Sequence, residues 1–291
     1  MNKLYLKTFL ITLSFCFAQS LNQDEKEIQR FVENKTSEAI DLLEKIVNIN
    51  SGTLNIKGNK KVGKILQKEL DKLGFNTYWV TYPKEVKRSG HLFAEMRGGK
   101  GKKITMVGHL DTVFEKDHPF QKFVRKGNKA YGPGVDDMKS GDVSMLYIMK
   151  ALNHIGKLKD MNLTLVFIGD EEKLGAHYSI VRKELIDAGK WADIGLGFEG
   201  ATGIETGTIA RRSASSWILT TTGIQGHSSR VFSETLGYGA IFEASRIINS
   251  FREELAEEEY LTFNPGVIVG GTDTNYDPVN ARGSAFGKTN V

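Results

Sequence analysis

The stretch "MVGHLDTV" (residues 106–113) sets a histidine and an aspartate two positions apart behind an apolar run. Met106 and Val107 read as the end of a buried strand, Gly108 interrupts the pattern, and His109, Asp111 and Thr112 follow at once. Residues two apart on a strand face the same way, so His109 and Asp111 would project together. In an open α/β sheet, ligands bind beyond the carboxyl ends of the strands. An isolated His-x-Asp is an ordinary loop cap, so its chemistry depends on what converges with it. Three other stretches carry metal-competent groups: "PGVDDMK" (133–139), "GDEEK" (169–173) and "GFEG" (197–200). Taken singly, the first is a helix start with favourable acidic charge, the second a solvated acidic turn, and Glu199 of the third a surface carboxylate.

The surrounding elements decide whether these groups can meet. Apolar residues at helical spacing predict helices over 24–50 and 60–73, with Gly74 as a natural stop. Strands are predicted at 75–80, 91–96, 103–108, 162–169 and 192–198, and helices after "DDMK" and over 177–188. Strands alternating with helices predict an α/β sheet with both faces covered. His109 with Asp111, "GDEEK" and "GFEG" each follow an apolar strand, while "DDMK" lies in a Gly/Pro-rich loop just before a helix. A packed sheet would set these ends side by side. From about Ser213 the texture changes, with a strand predicted at 213–223, a "GHSS" loop, a helix at 236–254 and a loop-rich, strand-like remainder. The expected organisation is a leader over 1–20, a catalytic domain over 21–212 and a smaller domain over 213–291.

Composition narrows the chemistry. The chain has 291 residues, 40% hydrophobic and 25% charged, with a net charge of +4, which gives no reason to expect nucleic acid or an anionic membrane as partner. Residues 1–20 place Lys3 and Lys7 before an apolar run that ends in Ala18-Gln19-Ser20, the layout of a secretory signal with cleavage after Ser20. The run is short for a membrane span, and bulky Phe15 argues against a lipoprotein site at Cys16. Secretion or a periplasmic location is therefore expected, with no membrane association after cleavage. Cleavage would bring the net charge from +4 to +2 and remove Cys16, the only cysteine. Any metal must then be held by histidine and carboxylates, a set that suits zinc or another borderline ion.

With "GHLDTV", "GPGVDDMKSG", "FIGDEEKLG", "GFEG" and "GHSS" in this order, the chain resembles the zinc peptidases that include glutamate carboxypeptidases, dipeptidases and aminoacylases. The resemblance runs from about residue 36 to the end. It implies a three-layer α/β sandwich with a mixed sheet, plus a smaller α+β lid and dimerisation domain. It implies two zinc ions, with His109 and Glu199 on the first, Glu172 on the second and Asp137 bridging both. Asp111 would orient His109, Glu171 would be the general base, and His227 of "GHSS" would stabilise the amide oxygen from a partner subunit. The implied reaction is amide hydrolysis releasing a C-terminal amino acid from a small peptide or N-acyl amino acid, with a lean towards glutamate carboxypeptidases. Dipeptidase and aminoacylase chemistry are the nearest alternatives. His91, His118, His154 and His177 are expected to be structural or exposed.

The chain departs from that pattern in three places. Asp136 stands where a small uncharged residue is usual, and Ser140 replaces a common glycine. No histidine follows His227, although the family takes a second-metal histidine from a returning segment. A C-terminally truncated chain is therefore expected, with Asn290 as a substrate contact. The rival from another class is a non-catalytic metal-binding or dimerisation protein. A serine hydrolase is set aside for want of a Gly-x-Ser-x-Gly elbow.

Overall fold

The computed structural model describes residues 21–175, 178–203, 206–278 and 282–287. The predicted leader (1–20), His177 and Asn290 lie outside the described residues. The chain divides into two compact units, one ending at Thr206 and the other starting at Gly207.

The first unit is built on β1 (Asn76–Val80), β2 (His91–Met96), β3 (Lys103–His109), the short hairpin β4 (Val124–Lys126) and β5 (Lys129–Tyr131), β6 (Asn162–Ile168) and β7 (Ile194–Gly197). Five of these form one mixed sheet in the order β1-β2-β6-β3-β7. β1, β2 and β6 pair antiparallel, whereas β6, β3 and β7 run parallel with β3 in the middle.

Alternation along β6 shows how the layers form. Leu163, Leu165 and Phe167 join the larger core, packed with side chains of α1 (Gln23–Val47), α2 (Ile56–Lys72) and α3 (Ser140–His154). Val166 and Ile168 point to the other face, where they meet Phe93 and Ala188. Ala188 lies on the second of two short helices, α4 (Tyr178–Val181) and α5 (Lys183–Trp191). Period-two burial on both faces requires a helix layer on each side, which is the three-layer sandwich.

Two predicted elements differ. The helix expected over 177–188 is broken at Arg182, whose φ of −117° is not helical, and resumes to end at Trp191. At this break the Arg182 guanidinium rests on Asp170. In the second unit, the strand predicted at 213–223 forms no ladder among the described residues. A strand needs a hydrogen-bonded neighbour; this segment has none, and Trp217 within it is 87% exposed. That unit contains α6 (Ala240–Leu255) and the antiparallel pair β8 (Asp273–Asp277) and β9 (Arg282–Phe286).

Gly141, in the first turn of α3, lets that helix approach the end of β7, because a Cβ there would collide with the carbonyl oxygen of Phe198. Gly141→Ala should lower stability by about 1–3 kcal/mol, read by urea denaturation, since the collision is with backbone and cannot be relieved by a rotamer change.

Candidate metal centre

Register explains why distant stretches meet. His109 pairs with Ile168 across β3 and β6, and Val107 with Gly197 across β3 and β7. The residues after Ile168 and after Gly197 therefore emerge on either side of His109. The fourth stretch arrives from the helix layer. Lys139 is fully buried and donates from Nζ to the carbonyls of Ile46 (3.1 Å) and Ile49 (3.3 Å), tying the turn 133–139 to the end of α1. Asp137 itself is not helical (φ −117°, ψ 98°), and the Asp137–Met138 peptide bond is cis. "DDMK" is thus a kinked approach to α3 rather than its first turn.

The side chains gather around one imidazole. His109 Nε2 lies 2.8 Å from Asp137 Oδ1, 3.7 Å from Glu199 Oε1 and 4.0 Å from Glu171 Oε2. His109, Asp137 and Glu172 offer one ligand atom each, all within 4.8 Å of one another. The ring is buried, whereas the Asp137 and Glu171 side chains stay open to solvent.

Asp111 faces His109 with two groups. The nearest acceptor for His109 Nδ1 is the backbone carbonyl of Asp111, at 3.0 Å, and the carboxylate is 3.5 Å away. Besides His109, that carboxylate has three further partners. It accepts from the backbone N–H of Glu171 (3.0 Å) and of Glu172 (3.1 Å), and from Thr53 Oγ1 (2.7 Å). Burial would raise its pKa, but hydrogen bonds from His109 and Thr53 and the charge of His109 hold it below the ordinary carboxylate value.

Electrostatics describe a site short of positive charge. Burial pulls the pKa of His109 down, yet hydrogen bonding and charge from Asp111, with the charges of Asp142 and Glu199, raise it to about 10. The metal-free ring is therefore an imidazolium, with its Nε2 proton donated to Asp137. Burial, then the charge of Asp137, pushes Glu172 up to about 7. A nitrogen donor among converging carboxylates, with no thiolate, fits a borderline divalent ion such as zinc. Such an ion would replace the Nε2 proton and relieve the repulsion that raises Glu172.

Several contributors were not foreseen. Thr53, Lys139 and Asp170 gave no pattern of their own. Asp142 did carry a signal, because it shares one helical face with the buried Met145, Leu146 and Met149. It is fully buried, neither carboxyl oxygen has a hydrogen-bond partner, and a Cβ at Gly108 would collide with Oδ1. Of the other histidines, His91 is buried while His118 and His154 are exposed. His227 lies in the second unit, exposed, with Nδ1 accepting from Ser229 N at 3.3 Å.

Residues 105–287 match the profile of Peptidase family M20/M25/M40. Carboxypeptidase G2 of Pseudomonas sp. (strain RS-16) is 30% identical over 250 residues, covering 83% of this chain and 57% of that protein. Aminoacylase-1A of Rattus norvegicus is 30% identical over 183 residues, covering 57% of this chain and 42% of that protein. Among solved structures, human carnosine dipeptidase 1 superposes with a TM-score of 0.50 at 16% identity, over 68% of this chain and 43% of that one. That likeness is one of fold. The chain thus spans little more than half of carboxypeptidase G2 and less of the other two.

Two outcomes follow from the charges. Zinc titrated into metal-free protein at pH 7 should release about one proton or more, because His109 must give up Nε2–H. Calorimetry in buffers of different ionisation enthalpy reads this, and a buffer-independent heat would contradict it. For Asp142, burial raises the pKa well above 3.8, with Glu199 and Asp111 adding to the rise and His109 and Lys139 opposing it. A folded-state pKa above the unfolded one makes the contribution progressively unfavourable as pH rises above the unfolded value. In metal-free protein, Asp142→Asn should therefore gain stability relative to the parent between pH 5 and pH 8, measured by urea denaturation.

Proposed function

Because the chain belongs to Peptidase family M20/M25/M40, we propose that it carries the reacting groups of a metal-dependent hydrolase that cuts an amide bond. The proposed reaction releases a C-terminal amino acid from a small peptide or N-acyl amino acid. The observation that carries this reading is the convergence of His109, Asp137 and Glu172 ligand atoms within 4.8 Å of one another, beside Glu171. The names of carboxypeptidase G2 and aminoacylase-1A support amide substrates of this kind.

Two zinc ions are part of the proposal, with His109, Asp137 and Glu199 holding the first, and Asp137 with Glu172 holding the second. When bound, zinc supplies Lewis acidity, which polarises the amide carbonyl and lowers the pKa of water towards neutrality. The remaining work falls to the chain's own groups. Asp111 holds the backbone of the glutamate pair, so that Glu172 faces His109 and Asp137. Glu171 sits beside them with an open carboxylate and takes a proton from the attacking water, then delivers it to the departing amine nitrogen. His227 accepts at Nδ1 from Ser229, which leaves the proton of a neutral ring on Nε2. Presented by a second copy of the chain, a donor of that kind is what the charge developing on the amide oxygen requires. The composition of residues 1–20 supports a secreted or periplasmic setting.

Glu171→Gln should lower kcat by about 10²–10⁴-fold on whichever N-acyl amino acid or dipeptide the parent cleaves, with KM and zinc content little changed. Steady-state kinetics together with metal analysis checks this. Full turnover in the variant would remove Glu171 from its role.

A further inference from the structure

The turn bearing Glu171 and Glu172 is held far more tightly than a solvated acidic turn requires. Every residue from Gly169 to Gly175 has a backbone group bonded to a side chain. Gly169 donates to His91 Nδ1 (3.2 Å) and accepts from Ser89 Oγ (3.2 Å). Glu171 and Glu172 donate to Asp111 (3.0 and 3.1 Å). The carbonyls of Lys173 and Leu174 accept from Arg88 at 2.8 and 3.1 Å. Gly175 donates to Asp170 Oδ2 at 3.0 Å.

The centre of this arrangement is a buried ion pair. Arg182 Nη1 donates to Asp170 Oδ1 at 2.6 Å, and Nη2 donates to the backbone carbonyl of the same residue at 3.0 Å. One guanidinium thus fixes both the side chain and the main chain of the residue immediately before Glu171. The contact is made from the break between α4 and α5, where Arg182 has a φ of −117°. The neighbouring residue is anchored as well, because the Val181 carbonyl accepts from His91 Nε2 (2.8 Å) and from the Tyr82 hydroxyl (2.9 Å). A buried ion pair adds little net stability compared with apolar packing, so its value lies in the geometry it imposes. Adjacent glutamates asked to do different work need that geometry, since rotation of the peptide between them would move both carboxylates together.

We propose that Arg182, acting through Asp170, is a positioning residue for the glutamate pair. The planar fork holds the turn so that Glu172 is presented to His109 and Asp137 while Glu171 is kept beside them for proton transfer. This rests on the hydrolytic reading above. It assigns a function to a pair that touches neither substrate nor metal.

The test is titration of metal-free protein with Co²⁺, followed by visible absorbance, for the parent, Arg182→Lys and Leu66→Val. Lysine keeps the charge but cannot make the two-pronged contact. Leu66→Val shortens a buried side chain of α2 and serves as a stability control. Arg182→Lys should weaken Co²⁺ binding about 10–100-fold, alter its visible spectrum and lower kcat with little change in KM. Leu66→Val should bind as the parent does. Parent-like affinity and spectrum in Arg182→Lys would overturn the proposal, as would an equal loss in Leu66→Val. Should Arg182→Lys fail to fold, the double variant Asp170→Asn/Arg182→Gln leaves no buried charge unpaired; the same loss supports the proposal and parent-like binding overturns it. A parent that binds no Co²⁺ would end the hydrolytic reading and this proposal together, whereas an unaffected variant ends this one alone.

Discussion

The buried carboxylate of Asp111 is the contact on which the rest of the site depends. It is fully buried, and burial of a charge is tolerable only when its lone pairs are filled. Thr53 fills one position, and the amides of Glu171 and Glu172 fill others. Three separate stretches are therefore locked together by one side chain: the loop after α1, the end of β3 and the end of β6. The parallel trio β6-β3-β7 brings strand ends near one another, but a strand end alone sets no side-chain direction. Asp111 supplies that direction for the glutamate pair, and its own carbonyl does so for His109.

Charge imbalance then explains why the site calls for a cation. Asp111, Asp137, Glu171, Glu172 and Glu199 stand near a single imidazole. The nearby lysine is no remedy, because Lys139 is committed to the carbonyls at the end of α1, and burial lowers its pKa to about 8. Without metal, the protein answers by raising the pKa of His109, of Glu172 and of Asp142. Each response is a substitute for positive charge. A divalent ion bound to the same donors would make the first two unnecessary.

Much of this was legible before any coordinates. Period-two and period-3.6 apolar patterns placed α1, α2, β2, β3 and β6 within a few residues, because those elements bury one face against a common core. The four stretches that hold His109 and Asp111, Asp137, Glu171 and Glu172, and Glu199 stand out because chemistry-bearing groups follow apolar strands or a Gly/Pro-rich loop, while the choice of residue and role within them comes from the family resemblance. Two readings failed for physical reasons. The segment 213–223 has the composition of a strand but no pairing neighbour among the described residues, and pairing is not a local property. The helix over 177–188 is interrupted at Arg182, whose guanidinium is bonded to Asp170, and a partner met only through the fold is not displayed by local helical preference. Asp111 faces His109 Nδ1 with both its backbone carbonyl (3.0 Å) and its carboxylate (3.5 Å), and the carboxylate also serves amides some sixty residues away, a reach that local pattern does not display.

The sequence by itself determined which stretches carry metal-competent residue types, which family the chain resembles and which strands would carry those stretches at their ends. Residue type and hydrophobic period are local, so they can be read along the chain. Only the tertiary structure decided that Lys139 would tether the "DDMK" turn, that Asp142 would lie buried without a partner, and that Arg182 would clamp the turn before Glu171. Those facts depend on which groups meet across the sheet and its helix layers. Hydrogen bonds between residues distant in the chain leave no period behind for a sequence to display.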